Sequence, residues 1–147
     1  MPNVFDAAKY ILENTGLVTT MKLQKLLYYA QAWSLVWDEN ELFPEDFEAW
    51  AGGPVCRRLF AWHRTYYKVS ARDIPVDLIS GESFSSAQIE TMDAVIRDYG
   101  QYSGAQLSEL THSEAPWITA RQGVPPGTSC DRIIPKADMA WFYAEAL

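Results

Sequence analysis

The chain has 147 residues and a formal net charge of −7, and this length suits a single domain. The acidic balance disfavours binding to phosphate backbones and to anionic membranes, and it favours a basic partner. The two cysteines, Cys56 and Cys130, lack the close spacing of a zinc site, and no secretory signal precedes them. We therefore expect reduced thiols in the core, no metal ion and a cytoplasmic protein.

Two helices are predicted near the amino terminus. Asn3 can cap the first, and Gly16 can end it in the left-handed conformation. The second is predicted to run from Thr19 or Thr20 to about Trp37, and its sequence is apolar almost all round. Such a helix is either central in the fold or has one face covered by a partner.

A short aromatic segment and a third helix are predicted next. Residues 47–50 favour a strand or an extended lead-in, and Gly52 and Gly53 break the chain after it. Pro54 is predicted at the first position of the third helix, where its missing N–H costs nothing. The apolar face of this helix would consist of Val55, Leu59, Trp62 and Tyr66.

Capping signals organise the next part of the chain. Residues 69–85 predict loops, with an extended piece at 74–79. Ser85 with Gln88 is typical of a capping box that opens a fourth helix, and Ser103 with Gln106 repeats the signal for a fifth.

The carboxyl-terminal part is predicted to continue in helices. A turn at 111–117 leads into a short helix, and the Pro- and Gly-rich stretch 123–129 predicts a surface loop. Pro135 can open a last helix that packs on the body through Met139, Phe142, Tyr143 and Ala146. The whole pattern predicts a mainly α protein, a single compact helical domain (1–147) of about six helices with at most a small minor β element.

No motif for catalysis or for a cofactor stands out, and we expect neither. Cys56 and His63 lie two helical turns apart, but they have no obvious third partner. His112, with Ser113 or Glu109, has the residue types of a small hydrolase, yet no nucleophile elbow or oxyanion loop accompanies it. An alternative is that His112 fixes a turn through a hydrogen bond to a backbone carbonyl.

Basic residues concentrate in one segment, 55–72, which contains no acid. Arg57, Arg64 and Lys68 would form a stripe on the third helix, interleaved with aromatic rings. Three interpretations stay open: a solvated face that pairs with the acidic rest of the chain, a surface for an acidic patch on a protein partner, or a nucleic-acid-binding module. The net charge makes the last the least favoured.

Three segments together resemble the Panacea family, the SocA-like or GepA-like antitoxin domain of bacteria and their phages. They are AKYIL at 8–12 followed by MKLQKLLYYAQA at 21–32, EAWAGGPV at 48–55, and LTHSEAPW at 110–117. The resemblance spans nearly the whole chain, and the order and spacing of the segments are more specific than any one of them.

The resemblance implies an antitoxin of a type II-like toxin-antitoxin system, in a bacterium or a prophage, and no catalytic residues. Its partner would be a cognate toxin protein encoded by an adjacent gene, with a protease or a chaperone as a further possible partner. Aromatic and basic residues of the matching segments and of the stripe are the partner-binding candidates. They are Lys22, Lys25, Tyr29, Trp50, Pro54, Arg57, Arg64, His112 and Trp117.

Overall fold

The computed structural model describes residues 1–146, and its first two helices begin and end close to the predicted positions. Helix α1 covers Val4–Thr15, and the side chain of Asn3 accepts hydrogen bonds from the backbone of Phe5 and Asp6, as a cap does. Helix α2 covers Thr20–Trp37, and the Thr19 hydroxyl accepts from the Lys22 backbone N–H. Both predicted caps are confirmed.

Helix α2 is the central element of the fold. Leu23 and Leu27 are fully buried on one side of α2, and Tyr28 and Tyr29 are fully buried on another. Gln31, also buried, donates to the Phe43 carbonyl at 2.7 Å and accepts from the Leu42 backbone N–H at 2.7 Å. Of the two alternatives for an apolar helix, central burial is the one observed.

Two antiparallel strand pairs, the second of which is a hairpin, supply the small β element. Strand β1 (Val18–Thr19) pairs with β4 (Lys68–Val69), and β2 (Glu48–Trp50) pairs with β3 (Gly53–Val55). The prediction that Pro54 opens the third helix is wrong, because Pro54 lies on β3 opposite Ala49. Proline has no N–H to donate, and an edge position in a strand pair tolerates it because no neighbouring strand requires a donor there.

Helix α3 is therefore shorter than predicted and covers Arg57–His63. Tyr66 lies beyond its end, and the expected extended piece at 74–79 is also wrong. Two 3-10 turns occur instead, at Ala71–Asp73 and at Val76–Leu78. The first is closed by a capping box between Ser70 and Asp73, a local signal that the sequence reading did not use.

The second half of the chain follows the predicted order. Helices α4 (Ser86–Tyr99) and α5 (Gly104–His112) begin with the expected capping boxes, and α6 (Ala115–Ala120) and α7 (Lys136–Glu145) follow. Pro135 occupies the N-cap position of α7, on which Met139 and Tyr143 are buried and Phe142 packs against the core as predicted, whereas Ala146 is exposed. A mainly helical fold with a minor β element is confirmed.

Cys56 is buried and Cys130 is half-buried in a loop, so the prediction of a core position holds only for Cys56. Both thiols are free. Within residues 1–146, no helix has the length and apolarity needed to cross a bilayer, and no cluster of three or more His, Cys, Asp or Glu side chains is arranged for a metal ion.

A candidate partner-binding face around the β2–β3 hairpin

The β2–β3 hairpin brings together candidates that are far apart in the sequence. Trp50 on β2 accepts, through its carbonyl, a hydrogen bond of 2.8 Å from Nε1 of Trp117 on α6. The Trp117 ring stacks on His112 at the end of α5, with ring centroids 4.0 Å apart. The Arg57 guanidinium lies 5.4 Å from the centroid of the Trp50 ring. We call these four residues, together with Gly52 at the turn, the hairpin face.

Side chains that donate hydrogen bonds to backbone carbonyls hold the hairpin face together. Arg121, which follows the last residue of α6, is only 5% exposed, and it donates to the carbonyls of Ala49 at 2.9 Å, Thr128 at 2.7 Å and Pro125 at 3.3 Å. The Ser108 hydroxyl of α5 donates to the Gly52 carbonyl. Neither residue was predicted from the sequence, because no local pattern marks it. Each donates to backbone carbonyls that come close only in the folded chain.

Lys25 lies directly beneath the hairpin. Its side chain is buried, and Nζ donates to the Pro54 carbonyl at 3.0 Å. Burial lowers the pKa of this ammonium group to about 8. A Cβ at Gly53 would stand 2.7 Å from Cε of Lys25, and Gly53 also has a φ of +118°. Only glycine therefore fits where the hairpin backbone crosses the lysine stem.

Two clefts flank the hairpin turn, and Gly52 lines both. The larger, of about 580 Å³, lies between the hairpin and the loop that precedes α7, and it is lined by Trp50, Ala51, Gly52, Arg57, Ser129, Cys130 and Asp131. The smaller, of about 190 Å³, lies between the hairpin, α2 and α3, and Lys25 and His63 are among its lining residues. We call the smaller one the Lys25 groove. A Cβ placed at Gly52 would meet no atom within 4 Å.

Arg57, the exposed cation of the hairpin face, pairs with Glu48 of β2. The two side chains meet at 2.9 Å. Burial alone would raise the pKa of Glu48, but the hydrogen bonds from Arg57 and from Trp50 outweigh it and lower that pKa. Arg57 is thus fixed beside the Trp50 ring at the surface.

Tyr29 belongs to a buried network and not to the surface. Its hydroxyl donates to Oε1 of Glu114 at 2.7 Å, and the Tyr143 hydroxyl donates to the same oxygen at 2.7 Å. Burial raises the pKa of Glu114 although both hydroxyls lower it. Tyr29 and Pro54 are both buried, so a partner can touch them only if their neighbours move. Glu114, which ties α7 to α2, was missed by sequence reading.

The other basic candidates are not part of the hairpin face, and the predicted stripe of Arg57, Arg64 and Lys68 is not continuous. Lys22 donates to the Gly100 carbonyl at 2.6 Å, towards the end of α4. Arg57, Arg64 and Lys68 lie at the start of α3, just after its end and on β4, respectively. The third helix is too short to align them, so the structure separates the predicted stripe into isolated cations.

His112 and Ser113 do not meet as a hydrolase pair. The Ser113 hydroxyl donates to the Leu110 carbonyl at 2.7 Å. Nε2 of His112 has no hydrogen-bond partner within the described chain, so the expected bond to a backbone carbonyl does not involve this atom. Burial, together with the positive charges of Lys25 and Arg121, lowers the pKa of His112.

Comparisons with known proteins agree with the three-segment resemblance. The family model described as antitoxin SocA-like, Panacea domain, matches residues 23–118. Antitoxin SocA of Caulobacter vibrioides (strain NA1000 / CB15N) is 31% identical over 134 residues, which cover 80% of this chain and 70% of that protein. No solved structure matches the chain.

Proposed function

Since the chain belongs to the antitoxin SocA-like, Panacea-domain family, we propose that it neutralises a protein toxin by binding it directly through the hairpin face. The toxin is encoded by an adjacent gene, in a type II-like system of a bacterium or a prophage. Both proteins act in the cytoplasm. The antitoxin uses no cofactor and performs no reaction in this role.

One observation carries the choice of surface: Trp50, Trp117, His112 and Arg57 form a contiguous, partly exposed group. Tryptophan and arginine supply much of the binding energy at protein interfaces. Hydrogen bonds already fix both indoles, Trp117 on the Trp50 carbonyl and Trp50 on Glu48. Little side-chain freedom remains to be lost on binding, and this favours affinity.

The charge distribution suits a partner with mixed charge. The net charge of −7 attracts a basic toxin at long range and speeds encounter more than it tightens the complex. In the hairpin region, the cation Arg57 lies at the surface, where it pairs with Glu48, and the cation Lys25 lies below the hairpin and has no carboxylate partner in the described chain. An acidic group on the toxin is the complement of the unpaired Lys25 cation.

Co-expression with the neighbouring open reading frame tests the proposal. The neighbour alone should stop growth, and growth should return when this chain is present and retains the neighbour on an affinity column. A neighbour that is harmless, or toxic but neither neutralised nor retained, contradicts the proposal. The half-life of the neutralised toxin in cells then separates blockade, with a long half-life, from delivery to a protease or a chaperone-linked degradation route.

Two matched charge reversals test the surface. Arg57→Glu changes an arginine of the hairpin face, and Arg97→Glu changes an arginine of α4 that is also exposed and also paired with one carboxylate. We expect Arg57→Glu to weaken toxin binding by about tenfold or more, because reversal of a charge at an interface introduces repulsion. Equal behaviour of the two variants would place the binding surface elsewhere.

A further inference from the structure

Buried polar side chains in residues 1–146 mostly have hydrogen-bond partners, and the exceptions lie on two histidines, His63, which lines the Lys25 groove, and His112, which stacks on Trp117 of the hairpin face. Arg121 reaches three carbonyls, and Gln24 contacts both backbone groups of Cys56 and Nε2 of His63. Within residues 1–146, the buried side-chain atoms without any partner are Nδ1 of His63 and Nε2 of His112. Unsatisfied buried groups are rare in folded proteins and call for an explanation.

Lys25 adds an unpaired charge to the same region. Its ammonium group has three N–H donors, and it makes one hydrogen bond, to the Pro54 carbonyl. In the described part of the chain it forms no salt bridge, whereas Lys136 meets two carboxylates at 2.9 and 3.2 Å. A buried cation without a counter-charge is unfavourable. Arg121 differs, because three backbone oxygens surround its guanidinium.

The groove next to Lys25 has the size and the lining for one inserted side chain. It holds about 190 Å³, and Met21, Trp50 and Phe60 form apolar walls around Lys25 and His63. Gly52 borders it and has open space beside its Cα. The positive charge of Lys25 lowers the pKa values of both His63 and His112, although burial is the larger cause in each. Among residues 1–146, none that lines the groove is acidic, so Lys25 has no carboxylate beside it there, in a protein that is acidic overall.

We propose that the Lys25 groove receives an aspartate or glutamate side chain of the bound toxin, whose carboxylate pairs with the Lys25 ammonium group. This inference rests on the proposed antitoxin function and names the anchor of its interface. The apolar walls pack against the methylene groups of the incoming side chain, while the carboxylate supplies the counter-charge that the fold lacks. Removal of one partner of a buried charge pair costs far more affinity than removal of a charge at an exposed rim, because the other charge is left buried and unpaired.

A nucleic-acid phosphate is the less suitable occupant. Among the described residues, the lining of this groove of about 190 Å³ has a single lysine and no arginine, whereas a phosphate backbone needs a cationic track. Arg64 and Lys68 do not continue the groove, since they lie beyond α3 and on β4. The net charge of −7 also repels a polyanion.

The sharpest test places a competing carboxylate at the mouth of the groove. Gly52 is exposed and a side chain there meets nothing within 4 Å, so Gly52→Glu and its uncharged match Gly52→Gln should both fold as the wild type does. The Kd for the neutralised toxin, the product of the neighbouring gene, is measured by calorimetry for each. We expect Gly52→Glu to bind about tenfold more weakly than Gly52→Gln.

Lys25→Met and a scan of the toxin complete the test. Lys25→Met keeps an unbranched chain of similar length without the charge, and we expect it to lose about 30-fold in affinity. One Asp→Asn or Glu→Gln change on the toxin should cost the same against the wild type and add nothing against Lys25→Met. If Lys25→Met does not fold, the same toxin change is measured against Gly52→Glu and Gly52→Gln, and it should cost less against Gly52→Glu, whose carboxylate already competes for the groove.

The outcomes separate the two proposals. Absence of toxin binding by the wild type defeats the proposed function, and the anchor with it. Tight binding by the wild type with no loss in Lys25→Met, or with no acidic toxin residue coupled to it, overturns the anchor and leaves the antitoxin function standing. Binding of a 20-nucleotide single-stranded DNA that is lost in Lys25→Met would reassign the groove to phosphate.

Discussion

The burial of Lys25 makes a quantitative prediction about stability against pH. In the folded chain the ammonium group loses its proton near pH 8, because burial lowers its pKa from the ordinary 10.5 to about 8. Between these two values the unfolded chain binds more protons than the folded chain. The free energy of unfolding therefore rises with pH across this window.

The size of this effect follows from the two pKa values. One pKa unit corresponds to about 1.4 kcal/mol, so a folded pKa of about 8 against 10.5 gives a gain of about 1.4 kcal/mol between pH 7 and pH 9. The gain approaches about 3 kcal/mol at pH 10.5. Lys25→Met lacks the titrating group and should lack this gain.

Urea unfolding followed by tryptophan fluorescence at pH 7, 8 and 9 measures it in both proteins. Cys56, whose pKa burial raises to about 11, and the tyrosines also affect stability in alkaline solution. Their contributions are common to both proteins and cancel in the difference. Parallel curves for the wild type and Lys25→Met between pH 7 and pH 9 would refute the reasoning, because the ammonium group would then be hydrated or paired.

Three further substitutions test the cap of α1, the packing at Gly104 and the burial of Glu114. Asn3→Ala removes the cap of α1 and should cost about 1–2 kcal/mol of unfolding free energy, measured by urea unfolding against Asn14→Ala as an exposed control. Gly104→Ala places a Cβ 2.9 Å from the Lys22 backbone nitrogen and should cost about 1–3 kcal/mol, whereas Gly52→Ala should leave the melting temperature nearly unchanged. Burial raises the pKa of Glu114, so its contribution to stability is greatest below its ordinary pKa and falls as pH rises through the raised value. Melting temperatures from pH 4 to pH 7 should therefore decline in the wild type relative to Glu114→Gln, and identical profiles would contradict the buried position of this carboxylate.

Helix starts could be predicted from the sequence because their signals are local. The capping box of α4 joins Ser85 to Gln88, and that of α5 joins Ser103 to Gln106. Each pair needs only three residues of spacing to form. Such signals survive any tertiary arrangement, and the structure places both helices where the pairs predicted them.

The wrong prediction for Pro54 shows a limit of local sequence patterns. Proline suits the first turn of a helix and also the edge of a two-stranded hairpin. The choice was decided by pairing between 53–55 and 48–50, and by the contact of the Gly53 backbone with the Lys25 stem. Lys25 belongs to another helix, so no window around Pro54 contains the deciding residue.

The candidate site was predictable in its residues but not in its assembly. Trp50, Arg57, His112 and Trp117 were named from three separate segments, and the fold brings them into contact. Lys25 was named only as one of the partner-binding candidates, with no sign that it is buried. Its burial depends on the hairpin that covers it, and Arg121 and Ser108, which hold that hairpin, have no signal of their own.

The buried polar residues of helix α2 differ in how well the fold satisfies them, and this difference links the core to the proposed partner site. Gln24 and Gln31 are buried on this helix, and each is matched to backbone groups of a neighbouring segment, so their polarity specifies the fold. Lys22 reaches the Gly100 carbonyl. Within residues 1–146, the charged Lys25 ammonium group has a single hydrogen-bond partner, the Pro54 carbonyl. A methionine would fill a similar space without the cost of a buried, unpaired charge. Natural sequences keep such unfavourable buried groups mainly where function requires them. In this protein, the acidic group of the bound partner supplies the counter-charge that Lys25 lacks.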